Sequence, residues 1–527
     1  MALMSNTRTW STEQNAIFTW FESRKVPTWA VWGGSGATNT LLGAPVEMSV
    51  SDNLIVRARA GTGKTTTIIE GVNRAPERAI LIAAFNKSIA VELQKRVNNP
   101  RVEAKTLHGL GFKFIARNWK VKVDENGDRA KALAKRGAET VDETVPDAMI
   151  KLIADLHSKA REVEPFIALR GSGKDVIDVA IRFNLVPDEE WEEQGWGINE
   201  VCEAAYQAML FAMERTDVID FADMIFLPLV HKWVKPWYEM VVIDEAQDMT
   251  KAQLALAKGC CKRGGRVCIV GDDKQAIYAF RGADSGSLDR LKHELQAAEL
   301  GLKTTYRCAK SVVNLAKTLV PDFNCPDTAV DGQILNVDTD KMLETAREGD
   351  FILSRTNAPL VKVCMALLKR GRRARIKGRE IGRGVLALIR KLNCSNIVDM
   401  EPKLQDFIIK ETERAERLPE NARDERMAFV SDQVEIIRAL SEGASLVSEL
   451  VTRCQDLFAD DAERAAVMCS SVHKAKGLEA DKVFLLEGTF RTGKQEEDNI
   501  KYVAITRAKT TMAWVKGFET QPKMMAA

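Results

Sequence analysis

The chain has 527 residues, 45% hydrophobic and 28% charged, which is too long for one core and fits roughly two to four domains. A net charge of +2 excludes a general basic coat, so any nucleic-acid binding has to come from a local groove. Ten cysteines without a CxxC pair argue against a zinc ribbon or disulfide framework, and with no apolar run long enough to cross a bilayer and no evident signal peptide the expected compartment is the cytoplasm, of a cell or of a virus-infected cell.

In chain order, an apolar, Gly-rich segment from Trp29 to Met48 reads as a hairpin or a partner surface. Leu54-Ile55-Val56 then predicts a strand, Ala58 to Thr65 a Gly-rich loop, and Thr66-Thr67-Ile68-Ile69 the start of a helix. Such a strand, loop and helix build a phosphate cradle. Ala60, Gly61, Thr62 and Gly63 supply backbone N–H groups, Lys64 reaches the β/γ-phosphates, Thr65 offers a hydroxyl to Mg²⁺, and Thr66 continues the segment. Ala58 stands where the general pattern has its first glycine. Charged helical patterns follow at Arg129–Ala138 and Ala148–Arg161; Lys131, Lys135 and Arg136 suit either duplex DNA or a solvated face.

Met240 to Ile243 is fully apolar, as expected for a parallel strand buried on both faces, and it ends in Asp244-Glu245-Ala246-Gln247-Asp248. Asp244 suits Mg²⁺, and Glu245 suits orienting and deprotonating a water for phosphoryl transfer. Val267 to Val270 predicts a further strand, ending in Gly271-Asp272-Asp273-Lys274-Gln275 at the carboxyl edge where open α/β sheets bind ligands. Gln275 is placed to sense a γ-phosphate. Tyr278 and Phe280 share parity; their spacing fits stacking on single-stranded bases or core packing equally. Phe351 to Asn357 reads as a strand with a polar edge, and Lys369 to Arg383 is the strongest local basic cluster, open to phosphate binding or to solvent. Helical pattern then runs to about Ala465, with Val434, Ile437, Leu440, Leu446, Leu450 and Leu457 at amphipathic spacing.

This order of elements resembles the superfamily-1 DNA helicases of the UvrD/Rep type. Thr12-Glu13-Gln14, Ala84-Phe85-Asn86-Lys87-Ser88, Lys105-Thr106-Leu107-His108-Gly109, Ile219-Asp220-Phe221-Ala222-Asp223-Met224, Thr305-Tyr306-Arg307-Cys308, Ser470 to Glu479 and Tyr502 to Lys509 are similar to that family's remaining motifs. Ala-Phe-Asn-Lys and Thr-Leu-His-Gly lean towards its compact phage enzymes and F-box helicases. The segment before the phosphate loop is longer, and the helical insertion before Ala465 shorter, than the family norm.

The resemblance implies an α/β fold: two RecA-like parallel-sheet lobes with mainly helical inserted subdomains. The first lobe is expected over 1–110 and 217–295, with an insertion at 111–216; the second over 296–378 and 466–527, with a short insertion at 379–465. ATP and Mg²⁺ are the implied cofactors. Gln14 would read adenine, Tyr306 would stack on it, and Glu479 would lie near the ribose. Arg307 and Arg507 would be arginine fingers reaching the γ-phosphate from the second lobe, joining Lys64, Glu245 and Gln275 as catalytic groups. Phe85, Asn86, Thr106 and His108 on one lobe, Ser471 and His473 on the other, and Tyr278 and Phe280 between them would grip single-stranded DNA. The implied activity is ATP-driven 3′–5′ DNA unwinding at single-strand/duplex junctions, with replication or recombination proteins as candidate partners and no membrane. A translocase that strips proteins or recombinase filaments uses the same residues. A non-motor scaffold would not need Glu245 or Arg507.

Overall fold

The computed structural model describes residues 9–27, 48–187, 189–278, 286–416, 420–458 and 466–517. The chain divides into two units, Met1–Lys303 and Thr304–Ala527. Each holds a six-stranded sheet in which every neighbouring pair is parallel.

In the first unit the strands are β1 (Asn53–Ala58), β2 (Ile80–Ala84), β3 (Val102–Thr106), β4 (Tyr238–Ile243), β5 (Cys261–Gly271) and β6 (Ala298–Leu302), in the order β6-β1-β5-β4-β2-β3. Their apolar runs are buried on both faces. Leu54 and Val56 face one core layer and Ile55 the other, as the period of two requires. Helices α1 (Thr12–Ser23), α2 (Lys64–Arg74), α3 (Lys87–Val97) and α4 (Leu107–Asn118) flank the sheet. A capping box starts α1: Ser11 Oγ accepts from the Gln14 N–H at 3.1 Å, and Gln14 Oε1 accepts from the Ser11 N–H at 3.0 Å. Buried Arg266 holds the other end, donating to the carbonyls of Trp20 (2.6 Å) and Phe21 (2.7 Å) and to Glu77 (2.7 Å).

The strand β6 corrects the expected start of the second lobe at 296. Ala298–Leu302 pairs with Leu54–Ala58 in the first sheet, so the boundary falls at Lys303/Thr304. Glu299 makes this run look too polar for an inner position. It is 1% exposed, and its charge is met by Arg57 at 2.6 Å and Lys292 at 2.6 Å.

Between α4 and β4 the chain forms helices Asp128–Glu139, Asp147–Val163, Gly173–Arg182 and Ile198–Ala212 around their own core of Leu133, Ile153, Leu156, Val176 and Met209. Buried Arg161 binds Asp220 (2.7 Å) and Asp223, and Arg129 binds Asp223 at 2.5 Å, tying these helices to the segment before β4. Arg136 is paired with Glu214 at 2.9 Å. Ahead of β1, Lys25–Pro27 and Met48–Val50 form an antiparallel ribbon; the intervening 28–47 lie outside the described residues.

In the second unit the strands are β7 (Gln333–Val337), β8 (Phe351–Ser354), β9 (Ala374–Ile376), β10 (Val467–Ser471), β11 (Ala480–Leu486) and β12 (Ala508–Val515), in the order β7-β12-β11-β8-β10-β9. Helices Arg379–Leu392, Met400–Glu416, Glu420–Ser441 and Val447–Leu457 lie between β9 and β10. Val434, Ile437, Leu440, Leu450 and Leu457 are buried in a core shared with the sheet, whereas Leu446 is 58% exposed. Part of the basic cluster is already committed: Arg370 pairs with Asp340 at 2.7 Å, and Arg372 donates to the Glu344 carbonyl at 2.5 Å, closing helix Thr339–Thr345.

Candidate nucleotide site and nucleic-acid surface

The loop from Arg59 to Gly63 turns β1 into α2 through two left-handed positions, Gly61 (φ 69°) and Gly63 (φ 78°), which a residue with a Cβ adopts only with strain. Thr62 is buried and its hydroxyl donates to the Arg59 carbonyl at 2.9 Å, which sets the loop's curvature. The helix starts at Lys64, so its first N–H groups lack intrahelical acceptors and open an anion site beside Lys64 and Thr65. The Thr66 hydroxyl accepts from Arg96 of α3 at 3.0 Å.

Lys64 Nζ lies 2.5 Å from Glu245 Oε1 and 3.8 Å from Asp244 Oδ1. Burial works against the Lys64 charge, but the two carboxylates outweigh it and hold the ammonium above its ordinary pKa. Asp244 is pushed up to about 6 by burial and by Glu245, with Lys64 pulling the other way. Glu245 sits just past the end of β4 in the left-handed region at φ 54°, uncommon for a residue with a Cβ. Such strain clusters where a side chain must be aimed.

Buried Gln247 joins this acidic pair to the end of β5. Its Nε2 donates to Glu245 Oε2 at 2.6 Å, and its Oε1 accepts from the Asp272 N–H at 3.1 Å. Gln275 Nε2 donates to Asp272 Oδ2 at 2.7 Å. Asp272 and Asp273 both bind Arg59, each at 2.8 Å, and Asp273 also binds Arg57 at 3.1 Å. The structure thus brings Lys64, Asp244 and Glu245 into direct contact and links Gln275 to them through Asp272 and Gln247. Gln14 is buried next to the loop, its Nε2 donating to Thr67 Oγ1 at 3.0 Å. Its amide has further donor and acceptor capacity beyond that bond and the capping box.

Of the residues expected on DNA, Phe85, Asn86, Thr106, His108 and Tyr278 follow the same ends of β2, β3 and β5. Phe85 and Tyr278 stack with centroids 6.3 Å apart and planes at 13°, both half-buried. Phe280 lies outside the described residues. Asn86 caps α3, accepting from the Ile89 N–H at 2.9 Å, and Thr106 caps α4, accepting from the Gly109 N–H at 3.1 Å. His108 is half-buried, and burial lowers its pKa, with Glu162 acting in the opposite sense. Phe221 is an addition that the sequence reading did not single out. It is 56% exposed, meets His108 edge-on at 6.3 Å, and helps line an open cavity of about 450 Å³. Its signal was present in Asp220-Phe221-Ala222-Asp223: both aspartates turn inward to Arg161, which leaves the ring between them outside.

In the second unit, Arg307 binds Glu479, which also binds Lys509 at 3.3 Å. Arg507 is 1% exposed and donates to the carbonyls of Val503 (3.0 Å) and Leu478 (3.0 Å). Burial, then the charge of Arg307, pushes Arg507 down to about 10. Tyr306 is 55% exposed. Ser471 precedes the turn Val472–Ala475 as its cap and is buried; His473 in that turn is half-buried, and Lys474 pairs with Glu380. Arg307, Arg507 and Glu479 therefore form one cluster, joined to the His473 segment through the Leu478 carbonyl.

Among the described residues no group of three or more His, Cys, Asp and Glu side chains could hold a metal by itself. The Thr65 hydroxyl and Asp244 carboxylate instead suit Mg²⁺ that arrives with phosphate oxygens as its other ligands. A parallel sheet with a phosphate loop at one strand end and an acidic pair at another defines a P-loop nucleotide-binding protein with RecA-like lobes. Residues 38–296 match the UvrD/REP helicase N-terminal domain, and residues 466–513 the UvrD-like helicase C-terminal domain, together more than half of the chain. The chain belongs to the UvrD/Rep helicase family. It is similar to the ATP-dependent DNA helicase PcrA of Staphylococcus epidermidis, 23% identical over 291 residues that cover 51% of this chain and 38% of that protein. It is likewise similar to DNA helicase II of Escherichia coli, 23% identical over 294 residues covering 52% of this chain and 39% of the relative. The match thus spans about two fifths of these relatives' length.

Proposed function

We propose that this chain is an ATP-dependent DNA helicase that moves 3′–5′ along single-stranded DNA and opens the duplex ahead of it. The contact that carries the reading is Lys64 Nζ at 2.5 Å from Glu245, with Asp244 beside them at the strand ends. Bound ATP would supply the phosphoryl group, and the Thr65 hydroxyl and Asp244 carboxylate would hold Mg²⁺, which would neutralise charge on the phosphate oxygens. Lys64 turns from Glu245 to the phosphates, which frees the Glu245 carboxylate to orient a water and take its proton. Gln275 turns from Asp272 to the γ-phosphate. Gln14 and Tyr306 hold the base, and Glu479 lies by the ribose. Arg307 and Arg507 add positive charge to the transferring group, where an arginine is worth about 10³–10⁵ in rate.

A motor needs nucleotide states that differ in affinity for the track, and ATP hydrolysis at the Lys64–Glu245 site would supply that difference. Phe85, Asn86, Thr106, His108 and Tyr278, together with Ser471 and His473, hold the strand; Phe280 belongs to the same set. Family membership and the stacked Phe85–Tyr278 pair support DNA as the track. Single-strand/duplex junctions are the proposed substrate, and the cytoplasm the proposed compartment; no described helix is long and apolar enough to cross a membrane.

ATP-driven strand displacement on 3′-tailed and 5′-tailed duplexes, with Lys64→Ala as control, tests this directly. Displacement confined to 3′ tails is expected. Preference for 5′ tails would reverse the polarity, and no displacement on either would remove the helicase reading.

A further inference from the structure

Helix α4 runs from His108, at the carboxyl edge of the first sheet, to Asn118, about 15 Å further along its axis. There it reaches the amino edge, where β4 starts at Tyr238. A cluster of rings covers this edge. Trp119 meets His231 edge-on at 5.4 Å and Trp233 at 4.9 Å, and the His231 and Trp233 rings stack at 4.4 Å. Trp237 packs on buried Phe114 at 4.6 Å, with the Arg117 guanidinium 4.0 Å and the Lys113 ammonium 5.1 Å from its ring centre. Trp119, Trp233 and Trp237 are all half-buried.

Exposed lysines flank these rings. Lys120 follows Trp119, Lys232 separates His231 from Trp233, and Lys235 lies just before Trp237. Among the described residues none of these three lysines has an ion pair. Other cations of the same unit are matched: Lys258 binds Glu294 at 2.7 Å, Arg136 binds Glu214 at 2.9 Å, and Lys262 binds Glu239 at 3.3 Å. Glu103, which binds Lys113 at 3.2 Å, also binds Lys105 at 2.7 Å, so its charge is already divided.

In a chain of net charge +2, unmatched lysines around tryptophans are a local feature and not part of a general coat. An aromatic centre inside a charged rim is the anatomy of a protein-binding surface. Its sign calls for carboxylates. Stacked bases suit it poorly, because His231 covers one face of Trp233 and Arg117 one face of Trp237. The unmatched cations are also ammonium groups, which lack the guanidinium fork that matches phosphate.

We propose that this tryptophan–lysine surface docks an acidic segment of a partner protein that carries an apolar side chain among its carboxylates. The assignment goes beyond the helicase reading and does not depend on it.

The test titrates the full chain into a fluorescently labelled peptide of Asp and Glu residues around a central Phe-Leu pair and follows anisotropy. Binding should weaken from about 50 to 200 mM salt. It should fall about tenfold or more in the triple variant Lys120→Glu, Lys232→Glu, Lys235→Glu, and persist with Lys→Arg at the same positions. Exchanging Phe-Leu in the peptide for Ser-Ser should cost about five- to tenfold. The Glu variant should keep wild-type ATP hydrolysis and wild-type affinity for a single-stranded oligonucleotide and a blunt duplex. No peptide binding, or binding that charge reversal leaves unchanged, overturns the proposal. A parallel loss of DNA affinity would assign the surface to nucleic acid, and self-association of the wild type that the variant abolishes would assign it to a second copy; either result overturns the proposal too. Strand displacement by the wild type reports on the helicase reading separately.

Discussion

Arg59 Nη1 lies 2.8 Å from Asp272 Oδ1, and both side chains are almost entirely buried, 4% and 0% exposed. This pair ties the phosphate loop to the turn that carries Gln275, since Gln275 donates to the other oxygen of Asp272. Movement of the loop is thereby felt by the group proposed to sense the γ-phosphate. Asp273, bound to Arg59 as well, gives the turn a second anchor.

Breaking this pair from one side leaves a buried charge uncompensated. Arg59→Gln should lower stability by about 3–5 kcal/mol, read from urea unfolding. Combined with Asp272→Asn the losses should be clearly non-additive; simple addition would show that the two residues do not act together.

Lys64→Ala and Glu245→Gln should each reduce ATP turnover by about 10²–10⁴-fold. They should differ in binding: Glu245→Gln keeps ATP, because Lys64 is released from its carboxylate contact. Fluorescent-nucleotide titration beside steady-state turnover separates them. Turnover by Glu245→Gln at the wild-type rate would remove Glu245 from the chemistry.

The Asp244 carboxyl, pushed up to about 6, gives a pH signature. Its pKa in the unfolded chain is about 3.9, so the nucleotide-free folded state binds this proton more tightly. Its stabilising contribution is full below about pH 4 and is lost as pH rises through about 6, an amount of roughly 2–3 kcal/mol. The stability difference between wild type and Asp244→Asn should follow that slope. Mg²⁺ needs the ionised form, so the Mg²⁺ concentration for half-maximal turnover should climb as pH drops below about 6, by up to tenfold per unit. A pH-independent Mg²⁺ requirement would contradict this account of Asp244.

Tyr278→Ala removes half of the Phe85–Tyr278 stack. Single-strand affinity should fall by about 1–3 kcal/mol while DNA-free ATP hydrolysis continues. Unaltered affinity in an anisotropy titration would assign both rings to packing.

The phosphate loop and both polar strand ends are legible in the sequence. Strands buried on both faces read as unbroken apolar runs, and the polar residues that follow mark the edge where ligands bind. Ala298–Leu302 is not legible, because Glu299 disguises an inner strand; the neutralising Arg57 is distant along the chain, and only folding shows that the two meet. Arg59 reads as loop filling for the same reason. The basic cluster could not be sorted from composition: Arg370 and Arg372 serve a neighbouring helix end, while Arg379, Arg383 and Arg390 have no side-chain partner among the described residues. Nor does the motif around Arg507 disclose that its guanidinium rests on main-chain carbonyls.

Gln247 donates a hydrogen bond to Glu245 and accepts one from the Asp272 backbone N–H, so the link between those two strand ends has a direction. A carboxylate of equal length would repel the first neighbour, and an ammonium would find no lone pair at the second. Only a neutral amide, held in one of its two flips, satisfies both. A change as small as one oxygen for one nitrogen at 247 would therefore loosen the acidic pair and the Gln275 turn together.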